Sequence, residues 1–116
     1  MVQALTKTDT KWADICAVTD INPNTGVCAL VAGEQVAIFR VGEDEVYALS
    51  NYEPFSKAFV LSRGIVGDRN GIIKVASPIY KQNFALATGK CLDDDNVSIP
   101  TYTARIVENR VQVACN

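Results

Sequence analysis

Short runs rich in β-branched and aromatic residues recur along the chain, separated by polar or glycine-containing connections. They are Val27–Val31, Gln35–Val41, Val46–Ser50, Ile72–Ala76, Asn83–Ala87, Tyr102–Glu108 and Arg110–Ala114. Runs of this length, bounded by turn signals, predict β-strands, and no stretch sustains a helical hydrophobic period for three turns. Gly42-Glu43-Asp44-Glu45 has the length of a hairpin connection between Val36-Ala37-Ile38-Phe39 and Val46-Tyr47-Ala48-Leu49. Asn70-Gly71 marks a second turn and Asn109 a third, because Asn and Gly tolerate left-handed backbone best. Regularly spaced short strands joined in this way predict an all-β fold, an antiparallel sandwich or small barrel.

The segment Asp20-Ile21-Asn22-Pro23-Asn24-Thr25-Gly26 reads as a loop feeding the first inner strands. Residues Met1–Thr10 are polar and aperiodic and are expected to form a flexible tail, with ordered packing starting near Trp12 and Ile15. No repeat, linker or low-complexity tract interrupts the remainder, so residues 11–116 are expected to form one domain. At 116 residues, with 48% apolar and 21% charged positions, the chain has a globular composition and can bury a core without covalent staples.

A formal charge of −2 and the lack of any dense Lys/Arg cluster argue against nucleic acid as a partner. No apolar run nears the roughly 18 residues of a membrane span, and the first residues lack the apolar stretch of a secretory signal. A soluble, cytoplasmic protein is the expectation. Cys16, Cys28, Cys91 and Cys115 are scattered, form no CxxC pair and have no histidine to complete a zinc site. Apolar neighbours beside three of them predict reduced, mostly buried thiols acting as small hydrophobes.

Two segments carry more specific information. Ala48-Leu49-Ser50-Asn51-Tyr52-Glu53-Pro54-Phe55 resembles the first ligand loop of Rieske iron–sulfur domains, where Cys-Pro-His follows a hydrophobic strand. Aligned on Pro54, Glu53 stands at the Cys position and Phe55 at the His position. Val75-Ala76-Ser77-Pro78-Ile79-Tyr80, followed by Phe84-Ala85-Leu86-Ala87-Thr88-Gly89, resembles the second loop and its trailing hairpin, with Ser77 for Cys and Tyr80 for His. A [2Fe–2S] centre of this type is held by two thiolates and two imidazoles. The chain has no histidine at all, and all four ligand positions hold other residue types.

The stretches Thr25-Gly26-Val27-Cys28-Ala29-Leu30, Glu34-Gln35-Val36-Ala37-Ile38-Phe39-Arg40, Val60-Leu61-Ser62-Arg63-Gly64 and Val75-Ala76-Ser77-Pro78 extend the resemblance over residues 11–114. Together they are similar to the small subunits of assimilatory NAD(P)H-dependent nitrite reductases, a Rieske-like family without cluster ligands. The resemblance implies a Rieske-like fold with a degenerate cluster-binding subdomain. It also implies a non-catalytic accessory subunit that docks on and stabilises a large subunit. FAD, a [4Fe–4S] cluster and sirohaem are expected in that large subunit, which reduces nitrite to ammonium. This chain itself is expected to hold no cofactor and no metal. The alternatives are a Rieske-like interaction module of another oxidoreductase, or an electron carrier with unorthodox cluster ligands.

No catalytic residue is assigned. Without histidine a Ser or Cys nucleophile would need another base, and no Ser-x-x-Lys or nucleophile-elbow pattern supplies one. Glu43, Asp44 and Glu45 lie in a hairpin connection with nothing to desolvate them. Tyr52, Phe55, Phe59 and Tyr80 either form an aromatic docking patch or fill the volume a cluster would occupy. Arg63 either reaches a partner carboxylate or pairs within the domain, with Glu53 or a loop carbonyl, and internal use is the expectation. Asp93-Asp94-Asp95 is expected to be a solvated loop rather than a recognition patch.

Overall fold

A computed structural model describes residues 10–115; the expected tail, residues 1–10, lies outside the described residues except for Thr10. Among the described residues the chain forms twelve short strands and two single-turn 3₁₀ segments, Val18–Asp20 and Leu61–Arg63. β1 (Trp12–Ala17), β12 (Arg110–Ala114) and β11 (Ala104–Val107) form one antiparallel sheet. β10 (Thr101–Tyr102), β4 (Glu45–Ser50), β3 (Glu34–Val41) and β2 (Thr25–Val31) form a second, in that order. β5 (Tyr52–Glu53) and β6 (Ala58–Phe59) make a small ribbon, and β7 (Ile65–Arg69), β8 (Ile72–Ala76) and β9 (Asn83–Ala85) make a third sheet.

The middle of β3 explains the layering. Val36, Ala37, Ile38, Phe39 and Arg40 are all buried, so this strand is dry on both faces. Side chains alternate across a strand, and the two sets enter different cores. Ala37 and Phe39 pack with Leu49, Leu61, Val75, Phe84, Leu86, Cys91 and Ile99. Val36 and Ile38 pack with Val18, Ile21, Val31, Ala48, Val111 and Val113. The second sheet is therefore a central layer, with the β1–β12–β11 sheet on one face and the β7–β8–β9 sheet on the other. Arg40, at the end of the buried run, is accommodated because its guanidinium donates to Ile21 O (2.9 Å), Glu43 O (3.1 Å) and Glu43 Oε1 (3.2 Å).

The all-β expectation holds, and the turns fall where the sequence places them. Asn70 and Gly71 have φ of 53° and 87°, and Glu108 and Asn109 have 48° and 70°, the left-handed pairs of two-residue hairpins. Four strands escape the sequence pattern, each for a physical reason. β1 has a register irregularity between Asp14 and Cys16, which erases a clean two-residue alternation. β7 contains Gly67 and Asp68, both poor strand formers, and β5 and β6 have two residues each. The run expected as one strand over Tyr102–Glu108 divides at Thr103: Tyr102 pairs with Ala48 of β4, whereas Ala104 pairs with Val113 of β12. The chain changes sheets at that point.

The thiols differ from expectation. All four cysteines are free, but Cys91 alone is fully buried, Cys16 and Cys115 are half-buried, and Cys28 is exposed on β2. Alternation along β2 turns Cys28 away from the core that takes Val31.

Gly64 joins the Leu61–Arg63 turn to β7 and lies directly against β8. A Cβ at this position would stand 2.4 Å from Ala76 O and 2.6 Å from Val75 Cγ2. Gly64→Ala is therefore expected to cost roughly 1–3 kcal/mol through overpacking. A Cβ at Gly67 would meet only the Lys74 side chain, at 3.5 Å, and Gly67→Ala should be far milder. Urea denaturation of the two variants checks the contrast.

Candidate functional site

The first loop leaves β4 at Ser50 and is clamped at its base by Asn51, a buried side chain that hydropathy gave no reason to single out. Asn51 N–H donates to Gln35 O (2.9 Å) and Asn51 O accepts from Leu61 N–H (3.1 Å). Its Nδ2 donates to Phe59 O (3.0 Å), and its Oδ1 accepts from Ser62 N–H (2.7 Å). Through backbone and side chain together, Asn51 thus ties β3, the β6 strand and the Leu-Ser-Arg-Gly turn, so the loop leaves from a fixed base. The only sequence signal for it is its place immediately before the loop motif.

At the loop's turn, Glu53 is completely buried. Its Oε2 accepts from the backbone N–H groups of Phe55 and Ser56, the latter at 3.2 Å. Its Oε1 accepts from Ser77 Oγ at 2.8 Å. Ser77, also buried, opens the second loop: its Oγ accepts from Ile79 N–H (3.3 Å), and its own N–H donates to Gln82 O (2.8 Å). The two positions that align with cluster cysteines are therefore hydrogen-bonded directly to each other. A buried carboxylate with three donors is a satisfied group rather than an exposed reagent.

The two positions that align with cluster histidines part company. Phe55 is half-buried against the core, with its ring centroid 6.2 Å from that of Phe84. Tyr80 is 60% exposed. Tyr52 and Phe59, opposite each other across the β5–β6 ribbon, stack edge to face with centroids 5.1 Å apart and are exposed. The aromatic group thus divides: Phe55 fills volume, and Tyr52, Phe59 and Tyr80 face outward.

Arg63 departs from the expectation of internal use. It is exposed and forms no ion pair or side-chain hydrogen bond among the described residues. Glu53 is already satisfied by donors nearer to it, which removes the internal partner. The acidic run lies in a loop as expected, with Asp93 and Asp95 exposed and Asp94 half-buried, and Asp93 has an anchoring role in addition. Asp93 Oδ2 accepts from Asn83 N–H (2.8 Å) and Nδ2 (3.1 Å), and Oδ1 accepts from Arg69 Nη1 (3.1 Å). It anchors β9 just beyond the second loop. Asp94 accepts from Asn96 N–H at 2.9 Å, and Asp95 is a solvent-facing carboxylate 3.9 Å from Lys90.

Residues 11–114 match the family model described as the Rieske-like [2Fe–2S] domain, and the chain belongs to that family. Its relatives place it more narrowly. The nitrite reductase (NADH) small subunit of Salmonella typhimurium is 49% identical over 104 residues, covering 89% of this chain and 96% of that one. A crystal structure described as the NADH-dependent nitrite reductase small subunit of Mycobacterium tuberculosis is 51% identical, with a TM-score of 0.88 and coverage of 90% and 95%. Within the Rieske-like family the chain is thus a member of the nitrite reductase small-subunit group. The nitrite reductase [NAD(P)H] large subunit of Klebsiella oxytoca is also 39% identical over 102 residues, 88% of this chain and 11% of that much longer one.

The family description includes a [2Fe–2S] cluster, and the donor set here does not fit one. Phe55 has no donor atom, and Glu53 and Ser77 spend their oxygens on each other and on backbone amides. Among the described residues no three His, Cys, Asp or Glu side chains converge. The four cysteines lie outside the two loops and so supply no thiolate at the ligand positions.

If the Glu53–Ser77 bond joins the loops, Ser77→Ala should cost roughly 1–3 kcal/mol by leaving a buried carboxylate oxygen without its donor. The double variant with Glu53→Gln should be non-additive by more than about 0.5 kcal/mol; strict additivity would mean that the loops are held independently.

Asp93 supplies a pH dependence. The Asn83 backbone N–H, then its amide and Arg69, hold the Asp93 carboxyl below the ordinary range. Its contribution is complete above the unfolded-state value of about 4 and is lost as pH falls through the depressed folded-state value. Asp93→Asn should lower stability near neutrality and flatten the acid side of a stability–pH profile. An unchanged acid limb would remove Asp93 from the anchor.

Proposed function

We propose that this chain is the cluster-free accessory subunit of a cytoplasmic NAD(P)H-dependent nitrite reductase working in nitrate assimilation, where it docks on and stabilises a flavin- and sirohaem-bearing large subunit. The observation that carries this reading is the pair Glu53 and Ser77, which close the two loops by a hydrogen bond where the fold would otherwise place cluster ligands. The loops keep their shape without a redox centre, so what they offer is a surface. The homologous segment within the Klebsiella oxytoca large subunit supports placing the domain beside the catalytic chain. FAD, the [4Fe–4S] cluster and sirohaem belong, on this reading, to the large subunit, and electrons pass among those groups without entering this chain. No helix among the described residues is long and apolar enough to cross a membrane.

The docking residues on this reading are Tyr52, Phe59, Arg63 and Tyr80, the outward members of the loop pair, with Phe55 supporting them from below. Exposed aromatic rings beside an exposed guanidinium are the composition in which interfaces concentrate their binding energy.

The large subunit purified without this chain should lose stability or nitrite turnover, and both should return on adding it. Full cofactor content and normal turnover in its absence would overturn the proposal. Iron and acid-labile sulfide in the anaerobically purified chain should be absent; a stoichiometric [2Fe–2S] signal would favour the electron-carrier reading.

Tyr80→Ala should weaken association with the large subunit by roughly tenfold while leaving the melting temperature of the isolated chain nearly unchanged. Unaltered affinity with a large fall in melting temperature would place the ring in the core.

A further inference from the structure

The tip that carries the outward rings differs in charge from the rest of the molecule. Residues 52–66 and 76–82 contain three basic residues, Lys57, Arg63 and Lys81, all exposed, and one acidic residue, Glu53, which is buried. The remaining sequence carries eight basic and twelve acidic residues. An acidic protein thus has a tip whose exposed side-chain charges are all positive.

These cations share one end of the fold. Glu53 and Ser77 join the loop that bears Lys57 to the loop that leads to Lys81. The turn bearing Arg63 presses on the start of the second loop where Gly64 meets Ala76. None of the three pairs with a carboxylate among the described residues, whereas Arg40, Arg69, Lys90 and Arg110 each do. Between them stand apolar groups in solvent: Phe59 is 53%, Ile79 45% and Tyr80 60% exposed.

The backbone adds a second observation. Lys57 has φ of 58° and Lys81 has φ of 66°, so each loop carries a lysine in the left-handed region. Glycine or asparagine is the low-strain choice there, and neither lysine gains an ion pair or side-chain hydrogen bond among the described residues in return.

We infer that the tip is an electrostatically steered docking face, a cationic rim around an apolar centre, whose partner is a carboxylate-bearing apolar surface on the nitrite reductase large subunit. This inference rests on the function proposed above and adds the chemistry of the partner face. Complementary charge speeds encounter and fixes orientation, while the rings supply the contact that remains after docking. The orientation matters because the chain's other surfaces are net acidic and are repelled by such a partner. Screening weakens the steering, since the Debye length shrinks from about 10 Å at 0.1 M salt to about 3 Å at 1 M.

The test measures association of the full chain with the cofactor-loaded large subunit by surface-immobilised kinetics over a range of salt concentrations. The variants are the triple change Lys57→Gly, Arg63→Gln, Lys81→Gly and, as control, Lys11→Glu just before β1. The glycines relieve the left-handed backbone, so the triple variant should melt no lower than the parent chain. The parent should bind with an association rate that falls as salt rises. The triple variant should associate about tenfold or more slowly at low salt and lose most of that salt dependence, and Lys11→Glu should show neither effect. Parent-like binding and salt response in the triple variant would overturn the inference while leaving the accessory-subunit reading intact. A fall in its melting temperature would also overturn it, by assigning the lysines to the fold. If the parent chain does not bind the large subunit at all, both proposals fail.

Discussion

Burial of β3 on both faces is the constraint from which the rest of the molecule follows. Val36 and Ile38 need an apolar layer on one side, and Ala37 and Phe39 need one on the other. A two-layered sandwich supplies only one dry face per sheet, so a third layer has to cover the remaining face. That layer is the β7–β8–β9 sheet with the Leu61 turn. The chain reaches it from β4 through the β5–β6 ribbon and the Leu61 turn, and this connection is brought against the loop that leaves β8. The meeting of the two loops is a consequence of core formation.

Once the loops meet, their buried polar groups have to be satisfied. In a cluster-bearing domain of this fold, metal–ligand bonds join them. Here a carboxylate and a hydroxyl meet at 2.8 Å and draw on backbone amides for the rest, so the cross-link becomes a hydrogen-bond network. A network of this kind specifies geometry as long as every member is paired. That donor set does not fit a [2Fe–2S] cluster, and it leaves a shaped tip with outward rings. The same replacement leaves Phe55 free to join the core beside Phe84, sealing the space beneath the tip with apolar volume.

Much of the fold was legible in the residues. The strands of the central sheet alternate or run apolar over lengths that admit few other readings, and Asn70-Gly71 and Asn109 name their turns through backbone chemistry alone. The less legible elements are those in which local pattern and tertiary role disagree. β1 hides behind an irregular register, β7 carries a glycine and an aspartate in its middle, and the last long run is one strand by propensity and two by pairing. Asn51 and Asp93 were illegible as anchors because a polar side chain declares its partners only when distant segments are in place. Their partners include Gln35 and Ser62 for one and Arg69 and Asn83 for the other.

By itself the sequence determined the all-β class, the turn positions and the chemical identity of the residues at the four ligand positions, since these follow from local propensity, backbone tolerance and donor chemistry. The tertiary structure alone decided that Glu53 and Ser77 are partners, that Phe55 turns inward and Tyr80 outward, and that Arg63 has no ion-pair partner among the described residues. The physical reason is range: a hydrogen bond between residues 24 apart exists only where the packing of two cores brings their loops together, and no local pattern encodes that approach.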